Sequence, residues 1–390
     1  MKKTIANYIY IIGVSVLMML NLISFNVYRE LYAYNYRISA VLITIVALSV
    51  YGAKYLAAYR ENGSYVKSLK VLVEDKKIWL VIAANVITVV NIFITGTYLR
   101  TILVIYTFSL VLLLADKVKF KKQEIYVVTA FLSIYMVVFT VKQYGYTINF
   151  AGQIVVGSMI MLMTLIELFR LEHREIAKID LFASVIEAIV YVWAIGIIIS
   201  YGCRTSFATL LVFGAIYVWQ RVRRTSARTK RGLFDLGIIA QIVFPFLYVK
   251  LKLNGILQGV TIFSKQVISG RGNVYAYFLD MIKAQPITGA GTIYVPNNTP
   301  FRAGLLDTSN AFLQIVVPQG LIVVVLIYLL FVLVVRRLIE KTALSKLSPV
   351  LFAGMFAFLV LSTGESFMVL FPFVFFYGTF LFILNSCAEE

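Results

Sequence analysis

Long apolar stretches recur along the whole chain, and they constrain its fold more than any other feature. Each is about 17–25 residues long, enough for a helix to cross the roughly 30 Å core of a bilayer. Charged residues make up only 14% of the chain, against about 25% in soluble domains. The sequence therefore predicts an all-α polytopic membrane protein with about twelve transmembrane helices. We place them at 5–25, 38–58, 78–95, 97–115, 125–141, 151–169, 181–200, 205–219, 233–250, 309–335, 348–362 and 366–385.

The basic residues predict the orientation of these segments. With the N-terminus inside, 24 of the 36 lysines and arginines fall in inside segments and ten in outside segments. Lysine and arginine accumulate in the cytoplasmic loops of membrane proteins. We therefore expect a multi-pass protein with both termini in the cytoplasm. The same rule explains the net charge of +18 without nucleic acid as a partner, and it identifies the basic run 221–231 as a topology anchor.

One loop is far longer than the others and divides the chain. Residues 1–250 hold predicted helices one to nine, 251–308 form an extracytoplasmic loop, and 309–390 hold helices ten to twelve. Within the loop, apolar residues recur at helical spacing from Ile256 to Val267 and again from Val274 to Ile282, before Pro286. The pattern predicts two amphipathic helices on the outer face, lying in the membrane interface or covering a cavity.

Three arginines on the predicted outer side run against the charge trend. Arg204 lies at the outer mouth of the eighth segment, Arg271 lies between two glycines, and Arg302 lies in the loop near Asp307. Arginine binds phosphate through two parallel hydrogen bonds and stays charged when buried. We expect these residues to hold a diphosphate. The alternative for each is an interfacial arginine near lipid headgroups or a structural ion pair.

Two acids on the same side are candidate catalytic residues. Asp307 precedes the tenth segment, and Glu365 lies in the short outer connection between the last two. Either could accept a proton from a substrate hydroxyl or bind sugar hydroxyls, and either could instead be a helix cap or an arginine's partner. The only histidine, His173, falls in an inside loop, and two cysteines provide no metal cluster. We expect no metal and no cofactor.

Several of these segments resemble the O-antigen polymerase and ligase family. Ser269-Gly270-Arg271, an aromatic helix and Pro286-x-x-Gly289-x-Gly291 resemble the long-loop signature of that family. Asp307-Thr-Ser-Asn310-Ala-Phe-Leu-Gln314, with Gly320 six residues on, resembles the "His-Asn…Leu…Gly" block that follows the loop. Ser200-Tyr-Gly-Cys-Arg204 is similar to the "Ser-Arg" at the outer end of an earlier span. The match covers roughly residues 190–335.

The resemblance implies a membrane glycosyltransferase with a fold like that of the GT-C class, in the bacterial plasma membrane. Its substrates would be undecaprenyl-diphosphate-linked oligosaccharides, joined by inverting glycosyl transfer at the outer face into a capsular or O-antigen-like polysaccharide. Tyr275 and Asn310, within the matching blocks, would contact substrate. Membrane lipids and chain-length regulator proteins are the further partners expected. Ligases carry a histidine where this chain has Ser309, which favours a Wzy-type polymerase.

Two other functions remain open from the sequence. A flippase for the same lipid-linked oligosaccharide also needs about twelve spans and cationic groups, but flippases usually have short loops and a central cationic cavity. A ligase would join a finished glycan to a wall or lipid acceptor. If the chain is a ligase, cells that carry an inactive variant would make polymer of normal length but would not attach it to its acceptor.

Overall fold

The computed structural model describes residues 73–96, 99–141, 148–223, 225–256, 259–266, 271–291, 294–295, 304–305, 308–369 and 373–387. Helices dominate these residues. In chain order they are α1 Lys76–Thr95, α2 Leu99–Ala115, α3 Lys122–Val141, α4 Ile148–Glu172, α5 Ala177–Tyr201, α6 Arg204–Val222, α7 Ala227–Leu253, α8 Arg271–Ala284, α9 Ala311–Thr342, α10 Ser348–Gly364 and α11 Phe373–Ser386. Two short hairpins interrupt the order, β1 Thr261–Ile262 with β2 Lys265–Gln266, and β3 Tyr294–Val295 with β4 Gly304–Leu305.

The apolar segments of the sequence correspond to these helices. Every predicted segment from 78–95 onward overlaps a helix, and the segments 5–25 and 38–58 lie outside the described residues. Five of the described helices are long and apolar enough to cross a membrane, namely α1, α4, α5, α7 and α9. The described part is therefore that of an all-α protein with several apolar helices suited to multiple membrane crossings. The total of about twelve spans stays a prediction.

Helix α1 shows why a bilayer suits this surface. Its buried face includes Lys77, Thr88 and Asn91, whereas Trp79 and Phe93 point outward with 60% and 86% of their surface exposed. A soluble helix has the opposite arrangement, with apolar residues against the core. Since lipid solvates apolar side chains and not polar ones, exposed aromatics and buried polar groups are what a lipid-facing helix requires.

The helices form a bundle whose two ends carry clusters of polar residues. Helix α10 packs against α4, α6 and α7, while the loop helix α8 packs against α7 and α9. We call the end that carries Arg204, Arg271 and Glu365 the Arg204 end. The opposite end, where α6 ends and α7 begins, carries Lys230 and Ser348, and we call it the Lys230 end.

The long loop contains one of the two predicted helices. Helix α8 begins at Arg271 and ends at Ala284, so it contains the predicted stretch from Val274 to Ile282 and stops before Pro286 as predicted. The predicted helix from Ile256 to Val267 is wrong, because residues 261–266 form a β-hairpin. Phe263 and Ser264 at its turn have φ of 51° and 58°, in the left-handed region that a right-handed helix cannot include.

Candidate functional site at the Arg204 end

Arg271 is the centre of the polar contacts at this end of the bundle. Its Nη2 donates to Oε1 of Glu365 at 2.5 Å, and its Nη1 donates to the carbonyl oxygen of Gly364 at 2.8 Å and to Oγ1 of Thr205 at 3.2 Å. The first residue of the loop helix is thereby bound to α6 and to the C-terminal end of α10. The loop that the sequence separates from the bundle is thus attached to it through a guanidinium.

Glu365 is a buried carboxylate held from two sides. Only 2% of its surface is exposed, and its Oε2 lies 3.5 Å from Nε2 of Gln153 on α4. A buried carboxylate needs a cation and hydrogen-bond donors to remain charged. Arg271 supplies the cation and Gln153 a donor. Among the roles open from the sequence, the described contacts are those of an arginine's partner, and the catalytic role stays a prediction.

Arg204 lies next to Thr205 and joins the same group of charges. It interacts electrostatically with both Arg271 and Glu365. Its Nη1 donates to the carbonyl oxygen of Gln266, in the first hairpin of the loop. The ring of Phe263, at the turn of that hairpin, packs edge-on against Phe207 of α6 with centroids 5.3 Å apart. Arg204 therefore fixes the hairpin over the N-terminal end of α6.

Tyr275 and Asn310 are buried behind this group. The hydroxyl of Tyr275 donates to the carbonyl oxygen of Ser309 at 2.8 Å, and its ring packs edge-on against Tyr248 and Phe244 of α7. With none of its surface exposed, Tyr275 anchors α8 onto the bundle. Substrate contact through this side chain would require α8 to move.

Asn310 caps α9 and holds two other helices, α10 and α7. Its Oδ1 accepts from the backbone nitrogen of Leu313 at 2.9 Å, and its Nδ2 donates to the carbonyl oxygens of Thr363 at 2.9 Å and Gln241 at 3.1 Å. These contacts engage both polar atoms of the side chain, which is fully buried. The described geometry gives Asn310 an organising role, and its predicted contact with substrate stays a prediction.

The glycine-rich segment after α8 docks onto a break in α9. Gly320, two residues after Pro318, has φ 76° and ψ 176° inside that helix. Because of these two residues, some backbone N–H and C=O groups of α9 lack their helical hydrogen bonds. The segment that starts at Pro286 takes up those groups. Ala290 donates to the carbonyl oxygen of Val317 at 2.7 Å, and Leu321 donates to that of Pro286 at 2.8 Å.

Only glycine allows this approach. A Cβ on Gly289 would lie 2.5 Å from the backbone nitrogen of Gly320, and a Cβ on Gly320 would collide with the carbonyl group of Ile287. Both glycines have a positive φ. Two motifs quoted separately from the sequence, Pro286-x-x-Gly289-x-Gly291 and the glycine of the following block, therefore form one structural unit.

The structure brings together some of the predicted site residues and leaves others untested. Arg204, Arg271 and Glu365 converge, and Tyr275 and Asn310 pack behind them. Arg302 and Asp307 lie outside the described residues. Sequence reasoning missed Gln153, whose Oε1 has no hydrogen-bond partner among the described residues. An amide inside the apolar segment 151–169 was the signal that could have found it.

No protein family, curated protein or solved structure matches this chain in the comparisons made with known proteins.

Proposed function

We propose that this chain is a Wzy-type polysaccharide polymerase of the bacterial plasma membrane. It transfers a growing glycan from its undecaprenyl diphosphate carrier to the non-reducing end of a new lipid-linked repeat unit at the outer face. The observation that carries the proposal is the convergence of Arg204 and Arg271, from separate segments of the sequence, beside Glu365 at one end of an apolar bundle.

The two guanidiniums have the chemistry for a diphosphate leaving group. In the reaction the acceptor hydroxyl attacks the anomeric carbon of the donor sugar, and the bond from that carbon to the diphosphate oxygen breaks. Negative charge develops on the departing diphosphate, and positioned arginines stabilise it in a site that excludes water. Arg271 is suited to this role because helix α8 and Glu365 fix its position.

Glu365 serves in this mechanism as the positioning residue of Arg271. Both of its oxygens already have donors, one in Arg271 and one in Gln153, which disfavours it as a base. The proton of the acceptor hydroxyl then passes to Asp307 or directly to solvent. The family resemblance of residues 190–335 supports the polymerase over a ligase because Ser309 stands where ligases carry histidine.

The test is the polymer made by cells that carry single substitutions. Arg204→Ala and Arg271→Ala should abolish long polymer and leave single lipid-linked repeat units at the outer face. Lys283→Ala removes a cation from the same helix as Arg271, where it pairs with the exposed Asp280, and should leave the polymer unchanged. Chain length is read on a gel, and the abundance of each variant in the membrane is measured in parallel.

Three outcomes would overturn the proposal. Polymer of full length and amount in both arginine variants, at equal protein abundance, would remove the diphosphate assignment. Repeat units left on the inner leaflet of a deletion strain would indicate a flippase. If the arginine variants make polymer of normal length that is not attached to its acceptor, the chain is a ligase.

A further inference from the structure

A cavity of about 510 Å³ lies at the Lys230 end, on the far side of the bundle from Arg204. Helix α6, which separates the two ends, has 19 residues and is about 28 Å long at 1.5 Å per residue. The cavity is therefore distinct from the candidate glycosyl-transfer site. The cations that line it are Arg170, Arg174, Arg221, Lys230 and Lys346.

Lys230 is a buried cation without an acidic partner in the part of the chain that the structure describes. Only 3% of its surface is exposed, and no carboxylate of the described residues lies within 4 Å of its ammonium group. Its Nζ donates to Oγ of Ser348 at 2.5 Å and reaches the carbonyl oxygen of Ala343 at 3.5 Å. A buried charge is costly unless a counter-ion accompanies it. The position calls for an anion that the described residues do not supply.

A buried amide nitrogen of this cavity lacks an acceptor. Nε2 of Gln220 has no hydrogen-bond partner among the described residues, and neither has Nη1 of Arg170, which lies 3.8 Å from Oε2 of Glu187 as an ion pair. Gln220 is 98% buried, and its Oε1 is already used as the acceptor of Thr225 at 2.8 Å, which leaves the amide nitrogen to donate. An unsatisfied buried donor costs about 1–3 kcal/mol. An amide nitrogen without an acceptor, close to an ammonium group without a described counter-ion, favours an acceptor-rich ligand in the cavity.

The acids near the cavity already have partners. Glu167 is paired with Arg170 and accepts from the hydroxyl of Tyr217, and Glu187 accepts from Nη1 of Arg221 at 3.0 Å. This network fixes the two arginines at the cavity wall. Asp180 also lines the cavity, 3.6 Å from Nε of Arg170.

Two further cations extend the cavity toward solvent. Arg174 and Lys346 are exposed, and neither lies within 4 Å of a carboxylate among the residues that the structure describes. The wall thus combines a buried ammonium and amide with an exposed cationic rim. A phosphate group fits this arrangement of buried donors and exposed cations because it is small, carries negative charge and accepts several hydrogen bonds.

We propose that this cavity binds a phosphate-bearing anion, a second site that does not depend on the proposed polymerase activity. Its volume lies within the roughly 300–1,000 Å³ of ligand pockets. Lys230 and Gln220 contact the phosphate oxygens at the floor, and Arg174 and Lys346 attract it at the rim. The ligand is a phosphate ester or diphosphate, carried either by a lipid headgroup or by a soluble molecule.

Binding to the purified full-length chain tests this site and separates the two sources. In one arm, inorganic pyrophosphate is titrated calorimetrically into the protein in nanodiscs of phosphatidylcholine, at fixed ionic strength. In the other arm, native mass spectrometry measures the retention of phosphatidylglycerol. Pyrophosphate binding assigns the site to soluble ligands, and retention of phosphatidylglycerol alone assigns it to lipid headgroups.

Two cavity variants and one control decide whether the binding is local. Lys230→Met should weaken binding at least about tenfold, which is about 1.4 kcal/mol. The pair Arg174→Ala and Lys346→Ala alters only exposed side chains, so it tests the site even if Lys230→Met fails to fold. Arg223→Ala removes an exposed cation that does not line the cavity and should bind as the unaltered chain does.

The proposal is overturned if neither probe binds the unaltered chain. It is equally overturned if the rim pair and Lys230→Met both bind with unchanged affinity, or if Arg223→Ala weakens binding as much as they do. Loss of polymerisation in the arginine variants of the other end bears on the proposed function alone, so the two proposals fail separately.

Discussion

The Arg204 end and the Lys230 end are both rich in arginine and lysine, but their buried cations have different partners. At the Arg204 end, Arg271 contacts a buried carboxylate and a backbone carbonyl, and Arg204 contacts the carbonyl oxygen of Gln266. At the Lys230 end, the acids hold Arg170 and Arg221, while the described groups that Lys230 contacts are neutral. A count of basic residues does not distinguish these arrangements, since the difference lies in the position of the acids.

The difference also changes how the positive-inside rule applies to this chain. That rule accounts for the run 221–231 as a topology anchor, and anchoring residues are expected in water or among headgroups. Arg223 and Arg228 are exposed and fit the rule. Lys230, in the same run, is buried within the protein. Lys230 thus belongs to the basic run that anchors the topology, yet it lies where only a specific contact can stabilise its charge.

The largest effect should come from closing the helix break on which the loop depends. Gly320→Ala puts a Cβ against the carbonyl group of Ile287 at a positive φ, so the segment 286–291 cannot dock. We expect a loss of roughly 4 kcal/mol or more, measured by thermal unfolding of the purified chain. Gly196→Ala is the control, because a Cβ there meets nothing within 4 Å. Equal unfolding temperatures for the two variants would contradict the docking role.

Removing the cation from the Arg204 end should have the next largest effect. Arg271→Ala leaves Glu365 buried without its cation, and breaking such a pair costs about 3–5 kcal/mol. The lower part of that range applies, since 24% of the Arg271 side chain is exposed. Adding Glu365→Gln should restore part of the loss. A double-mutant cycle measures the coupling, and strictly additive effects would mean that the pair contributes nothing.

At the Lys230 end, removing the buried cation should stabilise the protein, whereas at the Arg204 end it destabilises the protein. Lys230→Met removes a buried charge that has no described counter-ion and replaces it with an apolar chain of similar length. In phosphate-free buffer and neutral lipid, we expect unfolding to become harder by about 1 kcal/mol. The measurement is the unfolding temperature with and without pyrophosphate. A marked destabilisation without ligand would show that the hydrogen bond to Ser348 matters more than the burial of charge.

The smallest effect should come from a charge pair that belongs to neither end's interior. Asp280 and Lys283 pair at 3.0 Å on α8 with side chains 73% and 78% exposed. Exposed pairs contribute about 0.2–1 kcal/mol and weaken further with salt. Asp280→Asn should change the unfolding free energy by less than about 0.5 kcal/mol in denaturant titrations. A larger change would indicate that α8 is less securely packed than Tyr275 implies.

Local properties of the chain predicted the helices well. Segment length and hydropathy located a helix at every predicted segment within the described residues, because a bilayer-spanning helix satisfies its own backbone hydrogen bonds. The aromatic spacing and Pro286 likewise predicted α8. The prediction failed between Ile256 and Val267, where residues 261–266 form a hairpin held by Arg204 and Phe207. A short periodic stretch cannot reveal contacts with a distant helix.

By itself, the sequence determined that this chain forms apolar helices, that charges gather between them, and that a helix over Val274 to Ile282 stops before Pro286. Only the tertiary structure decided which of those charges meet. Glu365 faces Arg271 and Gln153, and Lys230 faces Ser348, because of how α10 packs against α4, α6 and α7. The physical reason is the distance along the chain over which each property is determined. Hydropathy and helix length depend on neighbours along the chain, whereas an ion pair or an unmatched buried donor depends on groups that packing alone brings together.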